Sequence, residues 1–428
     1  MMLIASEKSP TFVGRQPIVD REQKLLAYQL FLSSDHLKTL EEADLLEQQL
    51  GATKQAEKTL SVGQVLGHYR GLIKTNQEFL LSKIIEELPS HQLVLELPEN
   101  LEMTPDIVAR CRHLRSLGFT FALDEHFQLL PTSDAYALML SCVEIIKLSL
   151  SQLDGRPLPA LAEQIKGLGK KMLVVDVETS EQMLLCRQLG FDLFQGYYFA
   201  HAALIDGKKL STSQLLLFDL LSLLMKDADL LEIETVFKKE PGLSVNLLRL
   251  SNSAASGLGS TKISSLRQAI TILGRRQLIR WVQVLFFIGD NTLAAQANPL
   301  LHLALTRARL MELLATQLSD KNKDLSEQAF ITGLISLMPS LLGIAMKSIL
   351  AQLPLTPPIA DALGAYSGAL GRLLLLVEAT EKTDRFAVKN ALWRQPMLQA
   401  LSVSLVYRTT AEAMVWANSL QQESAAVA

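Results

Sequence analysis

"EIIKLSLSQLDGRPLPALAEQIKGLGKKMLVVDVE", residues 144–178, sets two short apolar runs on either side of an amphipathic stretch. The outer runs, EIIKLSL and MLVVDVE, are too short for helices, and they read as strands buried on both faces. The middle, LPALAEQIKGLG, is apolar at three- and four-residue spacing and stops at a glycine, as a helix does. Strand, helix and strand in that order form the unit of a parallel sheet.

Working outward, the same alternation runs from Thr11 to Ala203. TFVGRQPIVD, LLAYQLFL, GLIKT, QLVLELPE, TFALDE and LFQGYYFA are the other strand candidates. Helical stretches such as DLLEQQLGATKQAEKTL, TPDIVARCRHLRSLG and SEQMLLCRQLG separate them. Two of these helices stop at Gly118 or Gly190, each followed by Phe and the next strand. Seven or eight such units over roughly 200 residues imply a small (β/α)8 barrel rather than an open sheet. The first two strands are close enough to form a hairpin, so one strand is expected to run antiparallel.

After Leu210 the strand pattern stops. TSQLLLFDLLSLLM, LSVNLLRLSNSA, SSLRQAITILG, NPLLHLALTRARLMELLATQL and EQAFITGLISLM repeat their apolar residues at helical spacing. Several open on Ser, Thr, Asp or Asn, as helix N-caps do. The expected architecture is α/β, then all-α: a barrel over 11–203, a linker over 204–212 in the polar stretch IDGKKLSTS, and a helical domain over 213–421. No repeat of ~20–50 residues marks a solenoid.

Bulk composition narrows the function. The chain has 428 residues, 49% of them hydrophobic and 20% charged, which suits a folded two-domain protein. A net charge of −3 without a basic arm gives no reason to expect nucleic-acid binding. Cys111, Cys142 and Cys186 are far apart, which argues against a disulfide framework and a cysteine zinc site. The N-terminus is soon polar, and the richest apolar runs fall short of the ~20 residues that span a bilayer. The expectation is a cytoplasmic protein without a membrane partner.

In a (β/α)8 barrel, functional side chains gather at the C-terminal strand ends. Those ends carry Gln29, Lys74, Glu96 with Glu99, Asp124 with Glu125, Lys147, Asp176 with Glu178, and Gln195. One polar strand end is ordinarily just solvated; their recurrence on successive strands points to a site, working or vestigial.

These residues also carry a resemblance. LVLELPEN, FALDEHF, EIIKLSL, VVDVETSEQ and GFDLFQGYYFAHA resemble the signature strands of EAL domains, which hydrolyse cyclic di-GMP on a (β/α)8 barrel with two divalent cations. The opening FVGRQPIVDREQKLLAYQL resembles the barrel variant joined to an HDOD domain. The resemblance places the family's metal-binding glutamate at Gln29 and its phosphate-holding arginine at Ser33. Its asparagine ligand falls at Lys74. Glu96 keeps a metal-ligand position, Asp124 keeps the first of paired aspartates and Glu125 replaces the second. Lys147 keeps the catalytic-region lysine, and the aspartate two residues later is Ser149. The first glutamate of the next motif falls at Val175, or at Asp176 with a one-residue slip; Glu178 keeps the second. Gln195 and Gly196 keep a Gln-Gly pair.

Hard divalent cations need oxygen ligands and negative charge. Gln29 and Val175 each remove a negative charge, and Lys74 adds a positive one. At an effective dielectric of ~20, one charge about 4 Å away is worth about 4 kcal/mol, and twice that against a dication. The expectation is that Lys74, with Lys147, balances Glu96, Asp124 and Glu125 where metals would sit, so no metal is held and hydrolysis stalls. Lys147 and Glu178 are then vestigial catalytic residues. Gln29, Ser33, Lys74, Glu96, Asp124, Glu125 and Gln195 are a vestigial ligand site. Loss of the arginine at Ser33 and the aspartate at Ser149 leaves at most weak cyclic di-GMP binding.

Leu220–Val282, with its DAD turn, EPGLSVNLLRLSNSA and SSLRQAITILG, resembles an HDOD domain, and the likeness is looser beyond. FITGLISLMPSLLG puts Ser336 and Leu337 where related hydrolases carry a metal-binding His-Asp pair. His302 lies on an apolar helix without a partner at i+4 and reads as a core histidine. GLGSTK, Gly257–Lys262, has the wrong spacing for a phosphate loop and reads as a turn before a helix capped by Ser264 or Ser265. Arg275, Arg276 and Arg280 form a small basic patch at a helix start.

Three functions follow from the resemblance. The first is a non-catalytic interaction scaffold in cyclic di-GMP-linked signalling, such as motility or biofilm formation, with bacterial signalling proteins as partners. The second is a divergent phosphodiesterase using Mg²⁺ or Mn²⁺. The third is a receptor that binds cyclic di-GMP without hydrolysis. The first is the expectation. The oligomeric state stays open, a homodimer included.

Overall fold

The computed structural model describes residues 12–32, 62–98, 101–123, 134–152, 157–200, 210–256, 263–288, 298–319 and 323–427. Ser33, Glu99, Asp124, Glu125 and the GLGSTK stretch lie outside them. Eight strands close into a barrel in sequence order: β1 (Phe12–Val19), β2 (Leu25–Leu32), β3 (Arg70–Lys74), β4 (Leu93–Leu97), β5 (Thr120–Leu123), β6 (Ile145–Ser149), β7 (Lys171–Val175) and β8 (Leu193–Gln195). The antiparallel strand is β1, which pairs antiparallel with both β2 and β8; every other pairing is parallel.

Side chains alternate along each strand between the barrel interior and the helical jacket. On β4, Leu93, Leu95 and Leu97 belong to the outer core. Val94 belongs to an inner core with Ile18, Ala27, Leu72, Ala122, Ile145, Leu173 and Val175. The jacket comprises α1 (Val62–Leu66), α2 (Gln77–Leu81), α3 (Pro105–Ser116), α4 (Asp134–Cys142), α5 (Leu158–Gly167) and α6 (Ser180–Gln188). Thr104 caps α3 by accepting from the Ile107 N–H, with Pro105 in the first turn. Thr179 and Gln182 close a capping box on α6. Gly118 and Gly190, at φ 103° and 97°, end α3 and α6 in backbone that favours glycine, as their spacing anticipates.

The remaining elements are helices: α7 (Thr212–Met225), α8 (Leu230–Lys239), α9 (Pro241–Ser256), α10 (Leu266–Ile288), α11 (Pro299–Leu318), α12 (Lys323–Ile335), α13 (Met338–Leu342), α14 (Met346–Gln352), α15 (Pro357–Ala365), α16 (Gly368–Glu381), α17 (Arg385–Arg394) and α18 (Val403–Val427). Ser211 caps α7 in a box with Gln214, and the Ser265 hydroxyl accepts from the Gln268 N–H at the start of α10. A Cβ at Gly333 would stand 2.7 Å from the Ala308 Cα, so α12 packs against α11 at a spacing only glycine permits. Among the described residues, Asp324–Leu342, at 19 residues, is long and apolar enough to cross a membrane by length and composition alone, and half of it is buried. It comprises α12 and α13, two separate helices of the core.

The chain divides into two compact units. One holds Met1–His201, Glu378–Arg394 and Leu401–Ser419; the other holds Ala202–Val377, Gln395–Ala400 and Leu420–Ala428. The 213–421 expectation puts α17 and most of α18 with the other helices; they group with the barrel instead. Arg15 of β1 explains why. Its buried guanidinium donates to the Val65 carbonyl and, at 3.3 Å, to Asn418 Oδ1 of α18. It also lies 3.9 Å from the Tyr28 ring centroid. Asn418 Nδ2 donates back to the Gln64 and Val65 carbonyls at 3.0 and 2.9 Å. Val65, Ala411 and Met414 form an apolar cluster alongside, and the Tyr197 hydroxyl donates to the Glu381 carbonyl at 2.5 Å. Helical spacing shows that a helix has a buried face; it does not say what covers that face.

Candidate functional site

Two residues beyond five of the inner-core positions, the strands turn polar. Counting on from Ala27, Leu72, Val94, Ile145 and Leu193 gives Gln29, Lys74, Glu96, Lys147 and Gln195. All five were expected from the strand ends, and the register brings several of them together.

The centre is Lys147. Its Nζ donates to Glu96 Oε2 at 2.7 Å and to Gln29 Oε1 at 3.2 Å. The lysine and glutamate side chains are 1% and 0% exposed, so the pair is removed from water. Gln29 Nε2 donates to the Leu72 carbonyl at 3.3 Å, which turns the amide oxygen toward the ammonium. Lys74 stands beside Glu96 in register on the neighbouring strand and is half-buried. The sequence pointed to Lys74 as the main counter-charge, with Lys147 in support. The bond from Lys147 to Glu96 comes from β6, two strands on from Glu96's β4 and four from Gln29's β2.

The C-terminal end of β6 meets that of β7. The Ser149 and Ser151 hydroxyls donate to Asp176 Oδ2 at 2.6 and 2.7 Å. Val175 packs in the inner core at 3% exposure, opposite Ser149 in register. Asp176 follows in left-handed backbone at φ 62°, exposed. Its carboxylate therefore reaches Ser149 from the rim. Glu178 is also exposed, and its N–H donates to Gln182 Oε1 at 2.8 Å. It lies just before Thr179, the N-cap of α6. Gln195 Nε2 donates to Gln16 Oε1 at 2.8 Å across β8 and β1. Gln16 and Ser151 were missed from the sequence. The antiparallel register that puts Gln16 opposite Gln29 is the signal that could have found the former.

Among the described residues, no three His, Cys, Asp or Glu side chains come together as a metal-binding group. Among the described residues, the Lys147 ammonium stands between one buried carboxylate, Glu96, and one buried amide, Gln29. In the helical unit, Ser336 Oγ accepts from Arg307 Nη1 at 2.8 Å and Leu337 is buried, so neither position offers a metal ligand. His302 is 3% exposed within α11, a core histidine as its spacing implies.

Comparison with known proteins fits this layout. The EAL domain family model matches residues 73–202, and the HDOD domain family model matches residues 216–348. The chain is 26% identical over 414 residues to the uncharacterized protein YuxH of Bacillus subtilis (strain 168), covering 96% of this chain and 98% of that one. It is 28% identical over 382 residues to the cyclic di-GMP phosphodiesterase CdgJ of Vibrio cholerae serotype O1, covering 87% and 85%. Among solved structures, an EAL domain protein from Listeria monocytogenes EGD-e is 20% identical, with a TM-score of 0.35, over 46% of this chain and 94% of that chain. Barrel, helical bundle and matched segments thus follow one another in the same order, and the chain carries an EAL domain followed by an HDOD domain.

Proposed function

We propose that this chain is a non-catalytic, cytoplasmic signalling protein that acts as a protein-interaction scaffold in cyclic di-GMP-linked regulation. The observation that carries this reading is the Lys147 ammonium held between Glu96 and Gln29 in the barrel interior. A pair of Mg²⁺ or Mn²⁺ ions needs a cage of anionic oxygens. Here the first position offers a neutral amide, the second gives one carboxylate oxygen to an ammonium, and Val175 offers methyl groups. Among the described residues, these donors do not fit a two-cation centre. Cyclic di-GMP linkage is supported by the EAL domain itself and by the relative CdgJ.

A second reading, phosphodiesterase, is favoured by one specific observation: CdgJ, named as that enzyme, is 28% identical across most of both chains. Equilibrium dialysis of labelled cyclic di-GMP against the full chain, with and without Mn²⁺, separates the readings. The expected result is no linear product and at most weak retention. Mn²⁺-dependent turnover would establish the enzyme, and tight metal-independent retention a receptor. The paired change Gln29→Glu with Lys74→Asn restores one carboxylate and removes one ammonium. It is expected to raise Mn²⁺ affinity over the parent chain; unchanged affinity would refute the account of why the parent binds none.

A further inference from the structure

Helix α10 is broken at Gly274, whose φ of 72° and ψ of 159° are non-helical. A Cβ there would meet nothing within 4 Å, so the glycine serves the backbone angle and not a close approach. The break opens a cleft of about 540 Å³ between α10 and α12. Three arginines, Arg275, Arg276 and Arg280, and one acidic residue, Glu327, are among its lining residues, together with Leu273 and Ile331. The volume lies within the roughly 300–1,000 Å³ of small-molecule sites.

The guanidinium groups are held by their surroundings. Arg280 pairs with Glu312, which Arg309 also holds at 2.7 Å, and its guanidinium carbon lies 4.5 Å from the Phe330 ring centroid. Arg275 is fixed by Asp227 at 3.1 Å and by the Ala228 carbonyl at 2.7 Å, while its Nη1 is buried with no hydrogen-bond partner. Arg276 pairs with Glu327 at 2.8 Å, and these side chains are 73% and 34% exposed. So exposed a pair contributes little, and a better acceptor displaces it. Guanidinium forks match phosphate oxygens two at a time.

We infer that the cleft at the Gly274 break is a binding site for a small molecule bearing a phosphate or diphosphate group, gripped by Arg275, Arg276 and Arg280, with Glu327 as the resident competitor for Arg276. The site lies within the helical unit and is independent of the reading given to the barrel.

The test is calorimetric titration of the full chain with inorganic pyrophosphate at fixed ionic strength. Saturable binding is expected, weakened at least about tenfold in Arg276→Ala by loss of one charge-assisted contact. Arg276 is largely exposed, so this variant keeps its fold, which thermal melting checks. Glu327→Gln removes the competitor and is expected to tighten binding. Absence of saturable binding overturns the proposal. So does binding that both variants leave unchanged, since the anion then sits elsewhere, the barrel mouth included.

Discussion

The contact between Arg15 and Asn418 supports a quantitative prediction. Asn418→Ala removes the Oδ1 acceptor from a buried guanidinium and the two Nδ2 bonds to the Gln64 and Val65 carbonyls. A bond to a charged donor is worth about 1.5–3 kcal/mol and a neutral one about 1. The Val65 carbonyl keeps its bond from Arg15, and Gln64 is exposed, so the neutral losses count for less. The expected cost to the barrel unit is about 3 kcal/mol, which at a urea slope of about 2 kcal/mol/M lowers the midpoint by about 1.5 M. Trp393 and Trp416 lie in the barrel unit and Trp281 in the other. A Trp281→Phe background therefore lets fluorescence follow the barrel unit alone. Ser419→Ala, at an exposed neighbour, is the control and should stay within about 0.5 kcal/mol. If Asn418→Ala unfolds at the same urea concentration as the control, the reasoning that α18 holds the first strand in place is wrong.

Three further outcomes are expected. Lys147→Met leaves Glu96 buried without its ammonium and should cost about 3–5 kcal/mol, whereas adding Glu96→Gln should recover most of the loss; denaturant midpoints of the single and double variants decide this. Gly196→Ala would place a Cβ 2.0 Å from the Val177 carbonyl oxygen at φ 154°, so soluble expression should collapse; a variant that melts like the parent would refute the clash. Burial raises the Tyr28 phenol to about 12, partly opposed by Arg15. Because the folded value lies above the ordinary one, Tyr28's contribution is fully present below about pH 10 and is lost as pH rises toward 12, which a stability profile over that window checks.

Much of this was legible from local pattern. EIIKLSL and MLVVDVE become β6 and β7, Gly118 and Gly190 end their helices, and Ser211 opens the first helix after the barrel. Strand-end position also singled out Glu96 and Lys147. What stayed hidden depended on register and on distant partners. That Lys147 reaches Glu96 from two strands away follows from the stagger of strands around a closed barrel, which no single strand encodes. That Asp176 reaches Ser149 from the rim depends on its left-handed backbone just past β7, which the strand pattern does not announce. The grouping of α17 and α18 with the barrel rests on contacts between residues hundreds of positions apart, such as Arg15 and Asn418.

That last separation has a consequence for synthesis. Asn418 follows Arg15 by 403 positions, so at a translation rate of about 5–20 residues per second the first strand waits roughly 20–80 s for its partner. Through that interval the Arg15 guanidinium lacks its amide acceptor, and Val65 lacks the apolar cover of Ala411 and Met414, on a nascent barrel still tethered to the ribosome. Holdase chaperones have a defined window in which to act, and it closes when the final helix emerges.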